Sequence, residues 1–272
     1  MRICRVGIPF AVCCGLAILF AAQSSIAQTS APATKSATAA QPAPQAFNPH
    51  DLNGVWFDDH PRPMTVMERY WAYKFTEGEP PMTAWGQSEY AAAKPSFGPH
   101  AFPLAQTNDP VYHTCSPLGF PRIFLYPLPF QIVQTPGEVI LLFEYDWHRH
   151  QIFTDGRAHD TSLGPLWMGD SIGHWEGDTL VADTANFNDK TWLDRTGHPH
   201  SDQLHVIERI RRTDHDHLVD DLTIEDPKAY TMPWTAHLMF VLKPKWTIAE
   251  SFCEDEESFA GIDVDAATPE KK

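Results

Sequence analysis

Residues 169–212 read GDSIGHWEGDTLVADTANFNDKTWLDRTGHPHSDQLHVIERIRR, and their pattern decides the fold class. Glu176-Gly177-Asp178 is a tight-turn signal between two runs in which apolar and polar residues alternate. That period of two belongs to half-buried β-strands, not to the 3.6-residue period of a helix. A polar loop follows, with His198 and His200. A second alternating run then begins at Leu204, placing Leu204, Val206, Glu208 and Ile210 on one face. The same rhythm extends in both directions. FQIVQT and EVILLFEYD are separated by Pro136-Gly137, and HQIFTDGRAH turns at Asp155-Gly156. HLVDDLTIED, TAHLMFVLKP and WTIAESFCED complete the series. No internal repeat and no Gly-rich phosphate loop is present. The expectation is an all-β chain: an antiparallel up-and-down barrel of about eight strands with little helix, whose closure removes exposed edges.

Outside this region the composition changes. Residues 1–27 have Arg2 and Arg5, an apolar run, and Ser25-Ile26-Ala27 as a small-residue cleavage site, the pattern of a secretory signal. Gly7, Pro9 and Gly15 interrupt the run, which argues against a membrane anchor. Residues 28–47 are Ala, Pro, Ser, Thr and Gln with almost no large apolar side chain, so they read as a disordered linker. Residues 48–254 are expected to form one domain, and 255–272 a flexible acidic tail. The formal charge is −15, and it becomes −17 once Arg2 and Arg5 leave with the signal. A surface this acidic disfavours nucleic acid and anionic lipid, and no membrane contact is expected after cleavage. Oligomeric state is not legible. Two cysteines, Cys115 and Cys253, remain in the mature chain. In the expected periplasmic or secreted location they suggest one disulfide, with two separate buried thiols as the alternative.

Between the first strand signal, DLNGVW (51–56), and the strand series lies a proline-dominated segment over 80–129. Helices and inner strands tolerate proline poorly, so this segment is expected to wrap irregularly over the domain as a lid or rim. Residues 61–75 contain MTVMERYWAY, which predicts a short helix with Met64, Met67 and Trp71 on one face. The Gly-x-Trp of DLNGVW resembles the opening of lipocalin-like barrels, in which the Trp plugs one end. A second resemblance is broader. TNDP, CSPLGFPR, PFQIVQTPG, FEY, IFTDGR, WEGDTLVADT, FNDKTWLD, PHS, ERIRR and DPKAYTMPW together look like a large group of exported bacterial proteins of mostly unassigned function. The likeness covers Asn108 to Trp234. It implies export and a β-rich fold and brings no activity. Many members of that group carry Arg at the position of His150, which points to a specialised pocket here.

Candidate chemistry concentrates in two segments expected to converge, 144–157 and 198–208. Fourteen histidines invite a zinc reading through His148, His150, His198 and His200, but no recognised ligand spacing is present. His215 and His217 read as solvated turn residues. Cofactor-free acid–base chemistry is the leading expectation, through Glu144, His148, His150, Asp155, Arg157, His200, Glu208 and Tyr230. A His or Glu acts as base and an Arg holds an oxyanion. Glu144 and Glu208 stand among apolar residues on their strands, where burial raises a carboxyl pKa unless an Arg pairs with it. The plainer alternative is a structural Glu–Arg pair tying two strands. Ser201 lacks a nucleophile elbow and is set aside. Trp147, Trp167, Trp192 and Trp234, with Arg122, are candidates to line a site for a small apolar, aromatic molecule. The expected function is a lyase, isomerase or hydrolase, with no organic cofactor. The alternatives are a carrier of a hydrophobic ligand and a zinc enzyme.

Overall fold

The computed structural model describes residues 46–59, 74–76, 78–98 and 100–252. The expected signal, all but the last two residues of the linker, nearly all of the 61–75 helix, Cys253 and the acidic tail lie outside those residues. The strands are β1 (Gly54–Asp58), β2 (Phe130–Thr135), β3 (Glu138–Phe143), β4 (Arg149–Phe153), β5 (Asp170–Glu176), β6 (Thr179–Ala185), β7 (His205–Arg212), β8 (His217–Glu225) and β9 (Trp234–Leu242). They form one closed barrel in sequence order, with β9 pairing back onto β1 through Trp56↔Leu242. The turns are those expected. Gly137 and Gly177, at φ of 89° and 58°, occupy the left-handed backbone region that a side chain would strain.

Among the described residues there are nine strands, close to the expected eight, and two details differ from the up-and-down expectation. The chain leaves β4 through a connection long enough (154–169) to return in the same direction, so β4 and β5 are parallel, paired only through Ile152↔Ser171 and Phe153↔Ile172. The last apolar run, from Trp246, is not a strand; it forms one isolated bridge, Tyr145↔Ser251, just beyond β3, and Trp246 packs on Phe57 of β1.

Alternation points one face of each strand inward. Ile132, Leu141, Phe143, Ile152, Leu180, Val206, Ile210, Leu222, Leu238 and Phe240 are all buried. One barrel end is closed by Trp56, fully buried, whose indole N–H donates to the Leu52 carbonyl at 2.9 Å. The Arg212 guanidinium lies over that ring.

The other end is closed by the proline-rich segment, which is less irregular than expected. It contains α1 (Ala84–Ala92), capped by Thr83, and α2 (Pro110–Thr114), capped by Asp109 with proline at the first position. Its last part does not lie over a rim. Residues 118–126 are buried throughout and enter the barrel. The Phe124 ring meets Phe130, Phe143 and Phe240 from three strands, at centroid distances of 5.6, 5.4 and 5.5 Å. Burying such a ring contributes roughly 1.5–3 kcal/mol. Two features hold this plug. Gly119 has φ of 75°, and a Cβ there would stand 2.8 Å from Thr191 Oγ1. Arg122 and Asp109, both fully buried, form a two-pronged pair at 2.9 and 2.5 Å.

Candidate functional site

Below the plug, five polar side chains project into an otherwise apolar interior. His150 comes from β4, Ser171 from β5, Thr184 from β6, Glu208 from β7 and Asp220 from β8. Each is 0–2% exposed. They face inward because each is in phase with apolar neighbours: Glu208 with Val206 and Ile210, Asp220 with Leu218 and Leu222. The Glu208 side chain crosses the interior to reach His150, and Nε2 to Oε2 is 2.7 Å. On the other side of the imidazole, Nδ1 is 3.5 Å from Ser171 Oγ, which accepts a hydrogen bond from the Thr184 hydroxyl at 2.9 Å. With Thr184 as donor, the Ser171 proton turns toward Nδ1. The imidazole N–H then sits on Nε2 and donates to Glu208. The Phe120 ring of the plug stacks on His150 at 4.1 Å and 10°, fixing the plane of the imidazole.

The Glu208 and Asp220 carboxyls are buried against each other, and a proton on Asp220 makes a hydrogen bond between them. Burial, and then the Glu208 charge nearby, push the Asp220 carboxyl well above the usual carboxylate range. Burial of a second negative charge beside Glu208 is costly, which favours the protonated form of Asp220. The interior therefore holds a hydrogen-bonded His–Glu pair beside a carboxyl group biased toward its neutral form.

No family model matches this chain, and no curated protein or solved structure matches it either. The site must be read from its own chemistry.

A second polar cluster lies where the 186–204 loop packs under the proline-rich segment. The His198 imidazole bridges two acids, with Nδ1 2.6 Å from Asp194 and Nε2 2.6 Å from Glu79, and Tyr90 stacks on it at 4.5 Å. Burial opposes charging of His198, but Asp194 and then Glu79 outweigh it and raise its pKa to about 9. His198 is thus an imidazolium clamp. His200 is the opposite case. It is buried and its pKa is lowered by that burial. Its Nδ1 lies 3.2 Å from the Ser201 carbonyl, which can only accept, so Nε2 takes the Thr191 hydroxyl proton at 2.8 Å. The Tyr230 hydroxyl donates to the Pro199 carbonyl at 2.8 Å, and its pKa is raised by burial.

Of the residues selected from sequence, His150 and Glu208 meet, and the rest are dispersed. Glu144 lies on the opposite face from the buried Val139, Leu141, Phe143 and Tyr145. It accepts from the Ala249 amide at 2.9 Å, tying down the C-terminal segment. His148 sits in the β3–β4 turn, its pKa lowered by burial. Asp155 and Arg157 pair with each other in the exposed turn after β4. Among the described residues no arginine pairs with Glu208: Arg209 points outward to Glu176 at 2.9 Å. The oxyanion role of an arginine fails for a related reason. The buried arginines among the described residues are all committed, Arg122 to Asp109, Arg195 to Tyr112 and Phe97, and Arg212 to the Asp51 and His215 carbonyls.

The aromatic set also divides. Trp147 is 46% exposed. Trp192 lies beneath Arg122, Trp167 beside Lys190, and Trp234 packs on Tyr230. These contacts involve none of His150, Glu208 and Asp220. Of the proposed zinc ligands, His150, His198 and His200 keep separate partners and His148 has a buried Nε2 without one, and among the described residues no three His, Cys, Asp or Glu converge as a metal site. Asp220, Ser171 and Thr184 were missed from sequence, although alternation with Leu218 and Leu222 marks Asp220 as inward.

Proposed function

We propose that the barrel interior is an acid–base catalytic site for a small, largely apolar, aromatic molecule. The carrying observation is the His150–Glu208 hydrogen bond beside the buried Asp220 carboxyl, which burial and Glu208 push toward its protonated form. His150, polarised by Glu208, takes a proton, and Asp220 returns one to a developing negative oxygen, replacing the absent arginine. Proton removal and return suit a lyase or isomerase, within the wider lyase, isomerase or hydrolase class. Export to the periplasm, a Cys115–Cys253 disulfide and membership of the exported bacterial group belong to the same reading. They rest on the leader pattern, the two mature cysteines and the shared motifs.

A hydrophobic-ligand carrier is the second reading, favoured by the near-complete burial of the site under the plug. Incubation with a panel of neutral aromatic compounds in D2O separates the two. A catalyst incorporates deuterium into, or converts, at least one compound, and His150→Gln loses that turnover by roughly 100-fold or more while the protein still folds. Compounds that bind and are recovered without exchange or conversion would leave only the carrier.

A further inference from the structure

Both ring nitrogens of His198 face carboxylates at 2.6 Å, Nδ1 toward Asp194 and Nε2 toward Glu79. A neutral imidazole has one N–H, so it can serve one of these acids and must turn a lone pair on the other. The two acids are not equal partners in that choice. Asp194 is almost fully buried. Its Oδ1 takes the Thr196 amide and hydroxyl, at 2.9 Å each, and its Oδ2 takes the ring N–H. Stripping that donor from a buried carboxylate leaves a charge that water cannot reach. Glu79 is half exposed, with Lys74 Nζ at 3.5 Å and the Tyr90 hydroxyl beside it, so water can replace the ring there.

We infer that His198 is a proton-operated latch: charged, it bridges Asp194 and Glu79, and neutral, it keeps its N–H on Nδ1 for Asp194 and lets Glu79 go. The latch is separate from the barrel interior and stands whether or not that interior is catalytic. What it releases is bounded by the contacts on either side. Before Glu79, Phe75 packs on the Trp234 ring at 6.5 Å. After it, the Thr83 amide donates to the Ala229 carbonyl at 2.9 Å and the Thr231 amide to the Pro81 carbonyl at 2.7 Å, so α1 keeps its seat. Release is therefore local to the stretch that carries Phe75 and Glu79. The groups packed around His198 set the range in which it works. Burial opposes the charge, Asp194 and then Glu79 favour it, and the balance puts the transition near 9. Tyr90, which stacks on the ring, is pushed up to about 12 by burial and by Glu79, and burial raises Tyr230 as well, so both stay neutral there. A group raised in this way is charged below the transition, so the latch is closed at neutral pH and opens as the surroundings turn alkaline.

Histidine ring ¹⁵N spectra and backbone amide spectra, recorded from about pH 7 to about pH 10, test the latch. His198 Nε2 is expected to lose its proton with a midpoint near 9 while Nδ1 keeps its own. The amide resonances of Phe75, Thr76 and Glu79 and the Trp234 indole N–H should shift with that same midpoint. The amides of Thr83, Thr231 and the barrel strands should hold their positions. Glu79→Gln removes the second negative charge and offers an N–H to a neutral Nε2, so the His198 midpoint falls by about one pH unit or more and the amide step moves with it. Glu79 is half exposed, so this variant folds. Lys74→Gln is expected to keep the step near 9, which separates the latch from titration of the lysine. Loss of the proton from Nδ1 instead of Nε2 would overturn the inference. So would Phe75, Thr76 and Glu79 amides that stay still through the His198 midpoint, or a midpoint unmoved in Glu79→Gln. Barrel amides that shift together with them would mean general unfolding, and that result also removes the latch.

Discussion

Arg122→Met is expected to destabilise the domain by about 3–5 kcal/mol, because it leaves the Asp109 carboxylate buried with no cation. For a domain of this size that corresponds to a fall of roughly 6–20 °C in unfolding temperature. Burial works against the Arg122 charge, but Asp109 more than compensates and keeps the guanidinium ionised. Both residues are 0% exposed, so water cannot take over for a missing partner. The pair is also where the plug is fastened: Asp109 caps α2 by accepting from the Val111 amide at 3.1 Å, while Arg122 begins the buried turn that carries Phe124 into the barrel. The double variant Arg122→Met, Asp109→Asn keeps the cap and removes the stranded charge. It is expected to be more stable than Arg122→Met alone. Denaturant titration of the three proteins checks this, and a double variant less stable than the single would contradict the account of the plug.

The second large effect is a pH slope. An acid whose folded-state pKa is raised holds its proton in the folded protein at pH values where the unfolded chain has released it. Stability therefore falls as pH rises above the unfolded value of about 3.9, by up to about 1.4 kcal/mol per pH unit, until the folded-state pKa is passed. Asp220 is such a group, since burial and Glu208 raise it. Asp220→Asn mimics the protonated form at every pH. The variant is expected to be close to the wild type near pH 4 and increasingly more stable toward neutrality. His198 adds a falling slope of its own. Its raised pKa makes its contribution complete below about 6.5 and lost as pH rises through about 9. That slope is common to both proteins and cancels in the difference. Parallel stability curves across pH 4–8 would show that Asp220 is not held protonated.

Much of the barrel was legible because alternation is a local property. The turns at Pro136-Gly137 and Glu176-Gly177-Asp178, and the inward phase of Glu208, followed from residue spacing alone. What spacing does not carry is which face of a strand meets the interior when both faces hold apolar residues. On β3, Val139 and Leu141 turn inward and Ile140 and Leu142 do not, so Glu144 falls outside. The parallel β4–β5 pairing depends on the path of a connection that has no periodic signal. The 186–204 loop was harder still. Asp194, Thr196, His198, His200 and Ser201 look like a solvated surface in sequence, yet all are buried. They can be, because they satisfy one another: Asp194 accepts from Thr196 and His198, and Asp226 accepts from the Ser201 amide and hydroxyl at 2.5 and 2.9 Å. Such mutual satisfaction is a property of the folded loop and leaves no trace in composition. The pairing of His150 with Glu208 is the instance in which two segments expected to converge do so.

A base and a neutral acid side by side in the barrel interior form the central claim, and the protonation of Asp220 is its most direct observable. With ¹³C-labelled aspartate, the Asp220 side-chain carboxyl resonance, assigned by its loss in Asp220→Asn, is expected to stay in the carboxylic-acid range at pH 7 while exposed aspartates such as Asp155 and Asp214 titrate near or below the usual carboxylate range. An Asp220 resonance in the carboxylate range at pH 7, titrating with the others, would contradict it.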